Sequence, residues 1–197
     1  MNNSFIPVVF KEKLVKIFSW FKGSLFLFLS VAVFISILTF NINDDSFLTK
    51  SSGAQSNTLG TVGSYLASFL IYSFGLMSYL IAFFLLINSI AIFRKKDFKY
   101  FFIRFLFLLI SIIFIPQIFL FFGWNYEYID QIKSWGEISY ILFNLHQIEW
   151  VSYIISSIGI ILFLLTQNFF VFLKFPKLNF QSFTNTKIKI PKEIRIK

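Results

Sequence analysis

The sequence predicts an all-α integral membrane protein: a four-helix bundle with both termini cytoplasmic and a short interfacial helix ahead of the fourth span. Three observations predict it. Of 197 residues, 57% are apolar and 22% aromatic, only 14% are charged, and the mean hydropathy is +0.75. That composition excludes an ordinary soluble domain. The apolar residues gather into four runs, each long enough to cross a hydrocarbon core of about 30 Å as a helix. Sixteen of the eighteen Lys and Arg residues lie in the lead, around 94–104 and in the tail, and the two others are Lys50 and Lys133. By the positive-inside rule, this asymmetry puts the lead, the 94–99 turn and the tail in the cytoplasm.

Residues 1–23 form a basic cytoplasmic lead with Lys11, Lys13, Lys16 and Lys22. The apolar run 24–42 behind it begins as a secretory signal would, but it is long and has no small-x-small cleavage pattern, so it reads as a retained first helix. Residues 43–62 are rich in Asn, Asp, Ser, Thr and Gly and read as a solvated outer loop. The second helix, 63–93, has Gly60 in its polar lead-in and no charge before Arg94.

At 100° per residue, Gly60, Gly63, Ser64, Ala67, Ser68, Gly75, Ser78 and Ala82 fall within an arc of roughly 140°. Leu66, Phe69, Leu70, Met77, Leu80 and Phe83 lie opposite and suit lipid tails. Ile71 intrudes into the small face and Ser73 falls outside it. Small residues let helix backbones approach closely in lipid, where there is little hydrophobic drive for association. The second helix is therefore the expected packing hub, within one chain or between copies.

Arg94, Lys95, Lys96 and Lys99 form a basic turn that helps set topology. In the third helix, 100–122, Arg104 lies near the inner end, where it is expected to snorkel to the headgroups; at mid-bilayer it would cost ~2.5–3.5 kcal/mol. Pro116 is expected to kink this helix, with Gln117 satisfying freed carbonyls. In the second outer loop, 123–149, Trp124, Tyr126, Tyr128, Trp135 and Tyr140 supply an aromatic belt. There Ile138, Ile141, Leu142, Leu145 and Ile148 recur at helical spacing, predicting a short amphipathic helix on the membrane surface. The fourth helix occupies 150–173. The tail, 174–197, alternates Lys with Ile and carries Pro176 and Pro191, and reads as a cytoplasmic extension drawn to anionic lipid by ~1 kcal/mol per basic residue. Nonspecific DNA contact is another use for such a tail.

The chain has no cysteine and no G-x-x-x-x-G-K-[ST] phosphate loop. His146, the lone histidine, has Glu149 nearby but too few further ligands for a metal or acid–base site and is read as interfacial packing. No catalytic, cofactor or metal residues are expected. No carboxylate falls within a span, and Asn88 and Gln117 are expected to hydrogen-bond between helices, with Gln167 and Asn168 near the inner end of the fourth.

Two stretches resemble a known family. Asn57, Gly60, Gly63, Tyr65-Leu66-Ala67, Phe74-Gly75 and Tyr79-Leu80 are similar to the second transmembrane helix of the FtsK/SpoIIIE DNA translocases. Phe40 to Phe47 (FNINDDSF), with Phe40, Asp44, Ser46 and Phe47, resembles that family's stretch at the exit of the first helix, with Asn43 where Pro is usual. The resemblance covers roughly 22–172, and Gly136 lies where the family has a glycine.

The resemblance implies a membrane-anchoring and interaction domain in the bacterial inner membrane at the division septum, serving cell division and chromosome segregation. Its implied partners are the lipid bilayer, other copies of itself and division proteins. ATP and DNA would be reached only through a motor domain that is not in this chain. The alternative is a small oligomeric membrane transporter or channel. A membrane-embedded enzyme would need clustered His and carboxylates that the sequence lacks.

Overall fold

The structure, a computed structural model, describes residues 8–50, 53, 55–94, 100–124, 127–129, 132–146 and 148–166. Helix α1 spans Val8–Leu38. It starts well before the expected position because the basic lead interleaves Lys and Glu with apolar residues and meets no proline after Pro7. After the first outer loop come α2 (Gly60–Phe74), a 3-10 turn (Gly75–Ser78) and α3 (Tyr79–Phe93). Helices α4 (Phe101–Phe114) and α5 (Pro116–Phe121) follow. A small antiparallel hairpin, β1 (Glu127–Ile129) with β2 (Ile132–Lys133), precedes α6 (Glu137–His146) and α7 (Glu149–Thr166).

Among the described residues, four helical stretches are long and apolar enough to cross a membrane: Glu12–Leu38, Gly60–Phe93, Phe101–Phe121 and Glu149–Thr166. The protein is a multi-pass, all-α membrane bundle. Helix α1 lies along α3 and α2, and α4 with α5 lies along α7. The two groups share a core in which Ile71, Phe84, Leu108 and Ile112 are fully buried. Phe84 packs on the rings of Phe101 and Phe105, and Phe26 meets Phe101 edge-on at 5.2 Å. Ser30 Oγ donates to Ala82 O and Ser89 Oγ to Gly23 O, both at 2.8 Å, pinning α1 to α3. Such bonds suit lipid, where neither group has water as an alternative partner.

Several expectations need correction. The run 63–93 is two helices with a break at Gly75, because the second outer loop packs into it. Leu70, expected to face lipid, is buried, and so is Ser73, since β2 and α6 cover that side of α2. Asn88 donates within its own helix to Phe84 O at 2.7 Å rather than across helices. Arg104 is not a snorkelling residue: it is 7% exposed, and its Nε and Nη2 donate to Thr166 O at 2.9 and 2.7 Å. Both bonds converge on one backbone oxygen of α7, so the guanidinium ties α4 to α7.

Helix α6 packs against α2, α4 and α5 with Ser139 and Tyr140 buried, and Ile141 and Leu145 point outward. It is a part of the bundle, with one apolar side left for lipid. The hairpin was not anticipated, because its strands are too short to carry a two-residue alternation.

The third span is interrupted at Ile115, between α4 and α5, because Pro116 cannot donate to the carbonyl four residues earlier. Two side chains bond to the backbone around the interruption. Gln117 Nε2 donates to Ile113 O and to Ser139 O, both at 3.0 Å, and Ser156 Oγ on α7 accepts from Ile118 N at 2.9 Å while donating to Phe114 O at 3.2 Å. Expectations for Tyr126, Lys95, Lys96, Lys99, Gln167, Asn168 and the tail lie outside the described residues.

Candidate functional site

The two family-like stretches meet where α1 ends and α2 begins. Thr39 Oγ1 bonds back to Ile35 O at 2.8 Å and receives Thr58 N at 3.2 Å, so α1 closes against the strand of chain leading to α2. Phe40, 9% exposed, enters the core.

Asp44 is the centre of the loop, and it is only 3% exposed. Its Oδ1 accepts from Ser56 N and Ser56 Oγ, both at 2.8 Å, and its Oδ2 accepts from Asn57 N at 2.9 Å. Burial pulls the carboxyl group up, but the two donors of Ser56 and the N–H of Asn57 outweigh it and hold Asp44 below the ordinary carboxylate range. Both oxygens accept hydrogen bonds, so the group latches the loop.

Around it the rest of the loop is tied down. Thr49 Oγ1 lies 2.7 Å from Ile42 O and 2.6 Å from Asp44 O, and Ser46 Oγ receives Leu48 N at 3.2 Å. Asn57 Nδ2 donates to Ser36 O at 2.9 Å on α1, while its Oδ1 receives Leu59 N at 3.1 Å in an Asx turn. Gly63 sits over this turn: a Cβ there would collide with Asn57 Oδ1 and lie 2.6 Å from Leu59 Cβ. Ser64 Oγ donates to Asp45 O at 2.8 Å, and Ser68 Oγ receives Phe47 N at 3.4 Å. Phe47 lies edge-on to Tyr65 at 5.1 Å and is itself exposed.

A second junction lies at the helix break. Gly75 and Gly136 have φ of +57° and +74°; a Cβ on Gly75 would meet the backbone of Ser134 and Gly136, and one on Gly136 the backbone of Ser73 and Phe74. Leu76 N, released by the break, donates to Ser134 O at 2.8 Å. Ser78 Oγ closes the turn onto Gly75 O at 2.7 Å.

The small residues of the second span thus have separate tasks. Gly63, Ser64 and Ser68 seat the first outer loop, Gly75 and Ser78 seat the second, and the carbonyl of Ala82 receives α1. Ala67 is fully buried in the core, and Gly60 starts α2 at φ +61° with open space around it. Of the remaining motif residues, Ser46 belongs to the latch, whereas Tyr79 stands apart from it, edge-on to Phe34 at 5.8 Å. Lys13, Lys16, Lys22 and Arg94 are exposed; Lys11 lies in α1 with its side chain outside the described residues.

In the second outer loop, Trp124 and Trp135 stack on Phe119 at 5.6 and 4.7 Å, and Trp135 Nε1 donates to Trp124 O. His146 ties α6 to α7. Its Nδ1–H donates to Leu142 O at 2.8 Å, which leaves Nε2 to accept from Ser152 Oγ at 3.1 Å. Among the described residues, no group of three His, Cys, Asp or Glu side chains is placed to hold a metal ion.

The small face of α7, Ser152, Ser156 and Gly159, was missed at the sequence level. Its spacing of four and then three residues was the available signal. A Cβ at Gly159 would lie 2.8 Å from Phe114 Cβ and 2.9 Å from Ile115 N, so α7 packs directly onto the Pro116 interruption.

Together, four apolar spans, a latched outer loop and a broken second helix define a polytopic membrane domain held by polar bonds between helices. The chain belongs to the family described as the 4TM region of DNA translocase FtsK/SpoIIIE, which matches residues 13–186. A stretch of 53 residues is 40% identical to the "DNA translocase FtsK" of Rickettsia prowazekii (strain Madrid E), covering 27% of this chain and 7% of that protein. No solved structure matches.

Proposed function

We propose that this chain is the membrane-anchoring and interaction domain of an FtsK-type DNA translocase. It sits in the bacterial inner membrane with both termini cytoplasmic, and acts in cell division and chromosome segregation at the septum. The observation that carries the reading is the Asp44 latch: the two stretches that resemble the family fold onto one another and join α1 to α2. Division proteins would engage the outer surface around the latch, where Phe47, Leu59 and Val62 are exposed, and copies of the chain would associate in the membrane. The chain itself carries out no catalysis; ATP and DNA would be handled by a motor domain outside it.

A transporter or channel needs a polar path, and its candidate residues are committed elsewhere. Asn88 and Gln117 are both fully buried in helix packing, Gln117 at the Pro116 interruption.

A fluorescent fusion in dividing cells tests the role. The expected result is a band at mid-cell for the native chain and uniform membrane fluorescence for Asp44→Ala. A native fusion that is folded yet uniformly distributed would overturn it. The absence of cysteine allows topology to be read separately: an impermeant maleimide added outside should label Asn43→Cys and not Lys13→Cys.

A further inference from the structure

Helix α1 continues past its partner. Among the described residues, the last ties between α1 and α3 are the Ser89–Gly23 bond and the edge-on contact of Trp20 with Phe93 at 5.6 Å. N-terminal to these, every side chain described from Phe10 to Phe18 is exposed. This extension is amphipathic. At 100° per residue, Phe10, Leu14, Ile17, Phe18 and Phe21 fall within an arc of about 100°. Lys13 and Lys16 flank it on one side, and on the other Lys22 lies over the Phe18 ring at 4.5 Å.

On the first flank, Lys13, Lys16, Ile17 and Trp20 line an open groove of about 420 Å³. Lys13 and Lys16 are three residues apart and so are neighbours on the helix surface. Ile17 and Trp20 each lie four residues further along, one turn closer to the membrane core. The groove is thus cationic at its outer end and apolar toward the bilayer.

We propose that this groove binds an anionic phospholipid of the cytoplasmic leaflet, with the headgroup phosphate between Lys13 and Lys16 and an acyl chain along Ile17 and Trp20. The proposal rests on the cytoplasmic placement of the N-terminal end given above. Among the described residues, neither Lys13 nor Lys16 is ion-paired, Glu12 four residues from Lys16 included, so the ammonium groups are available to a phosphate. A second copy is a poor occupant because its lysines would oppose these. A free phosphate would leave Ile17 and Trp20 uncovered.

Native mass spectrometry of the full chain, released from micelles holding phosphatidylglycerol and phosphatidylcholine, tests the groove. The expected result is preferential retention of phosphatidylglycerol, lowered about tenfold or more in K13Q/K16Q and kept in K13R/K16R and in the control K50Q. Equal retention by K13Q/K16Q and the native chain would overturn the proposal. So would displacement of the lipid by millimolar inorganic phosphate, which would mark a simple anion site. Micelles have no sidedness, so a failure of the orientation would appear in the maleimide labelling and leave this measurement intact.

Discussion

Replacing Asp44 with Ala removes the acceptor for three donors at once. Ser56 is exposed, so its N–H and hydroxyl recover water and lose about 1 kcal/mol. Asn57 is 4% exposed, so its N–H stays dry and unpaired at a cost of about 1–3 kcal/mol. The expected loss is about 3 kcal/mol, or about 6–12 °C in the unfolding midpoint for a chain of this size. Intrinsic tryptophan fluorescence of the protein heated in mild detergent reads it. Asp44→Asn keeps one carbonyl oxygen and should lose about half as much.

The carboxylate also predicts an acid transition. Its pKa is lowered by folding, so its contribution is present above the unfolded-state value of about 3.9 and is lost as pH falls through the folded-state value. Native protein should therefore destabilise below about pH 4, and Asp44→Asn should lack that component. A midpoint for Asp44→Ala within about 2 °C of the native one, or an unchanged acid loss in Asp44→Asn, would refute the latch.

Four further outcomes follow from the packing. Gly136→Ala should cost several kcal/mol and yield aggregated protein in size-exclusion chromatography, because its Cβ would lie 2.5 Å from two backbone atoms of Phe74. Gly123→Ala, at φ +69° with open space around it, should cost only about 1 kcal/mol. Ser156→Ala should cost about 1 kcal/mol and speed hydrogen exchange at Ile118, whose N–H it unpairs. Arg104→Gln should lose about 1.5–3 kcal/mol and loosen the contact of α4 with α7, read as faster hydrogen exchange in α7 near Thr166, with Arg104→Lys intermediate because it lacks the planar fork.

The latch was only half legible in the sequence. Asp44 and Asn57 stand out as a family-like pattern, but thirteen residues separate them, and no local periodicity says that one holds the other. The same holds at the helix break. Gly75 looked like one more small residue on a packing stripe, and its positive φ is explained only by the approach of Gly136 from the second outer loop. Arg104 read as an interfacial charge because its distance to the run's end was visible, whereas its acceptor, the carbonyl of Thr166, 62 residues away, was not.

By itself the sequence determined that this is a membrane protein with four apolar spans and an interruption of the third at Pro116. Transfer into lipid is summed over neighbouring residues, and a missing N–H is a property of one residue. Only the tertiary structure decided where the second span breaks, that α6 enters the bundle, and which small side chains tie helices together. Those outcomes depend on which backbone groups lack a partner once distant segments meet, and in lipid each such group must find one inside the protein.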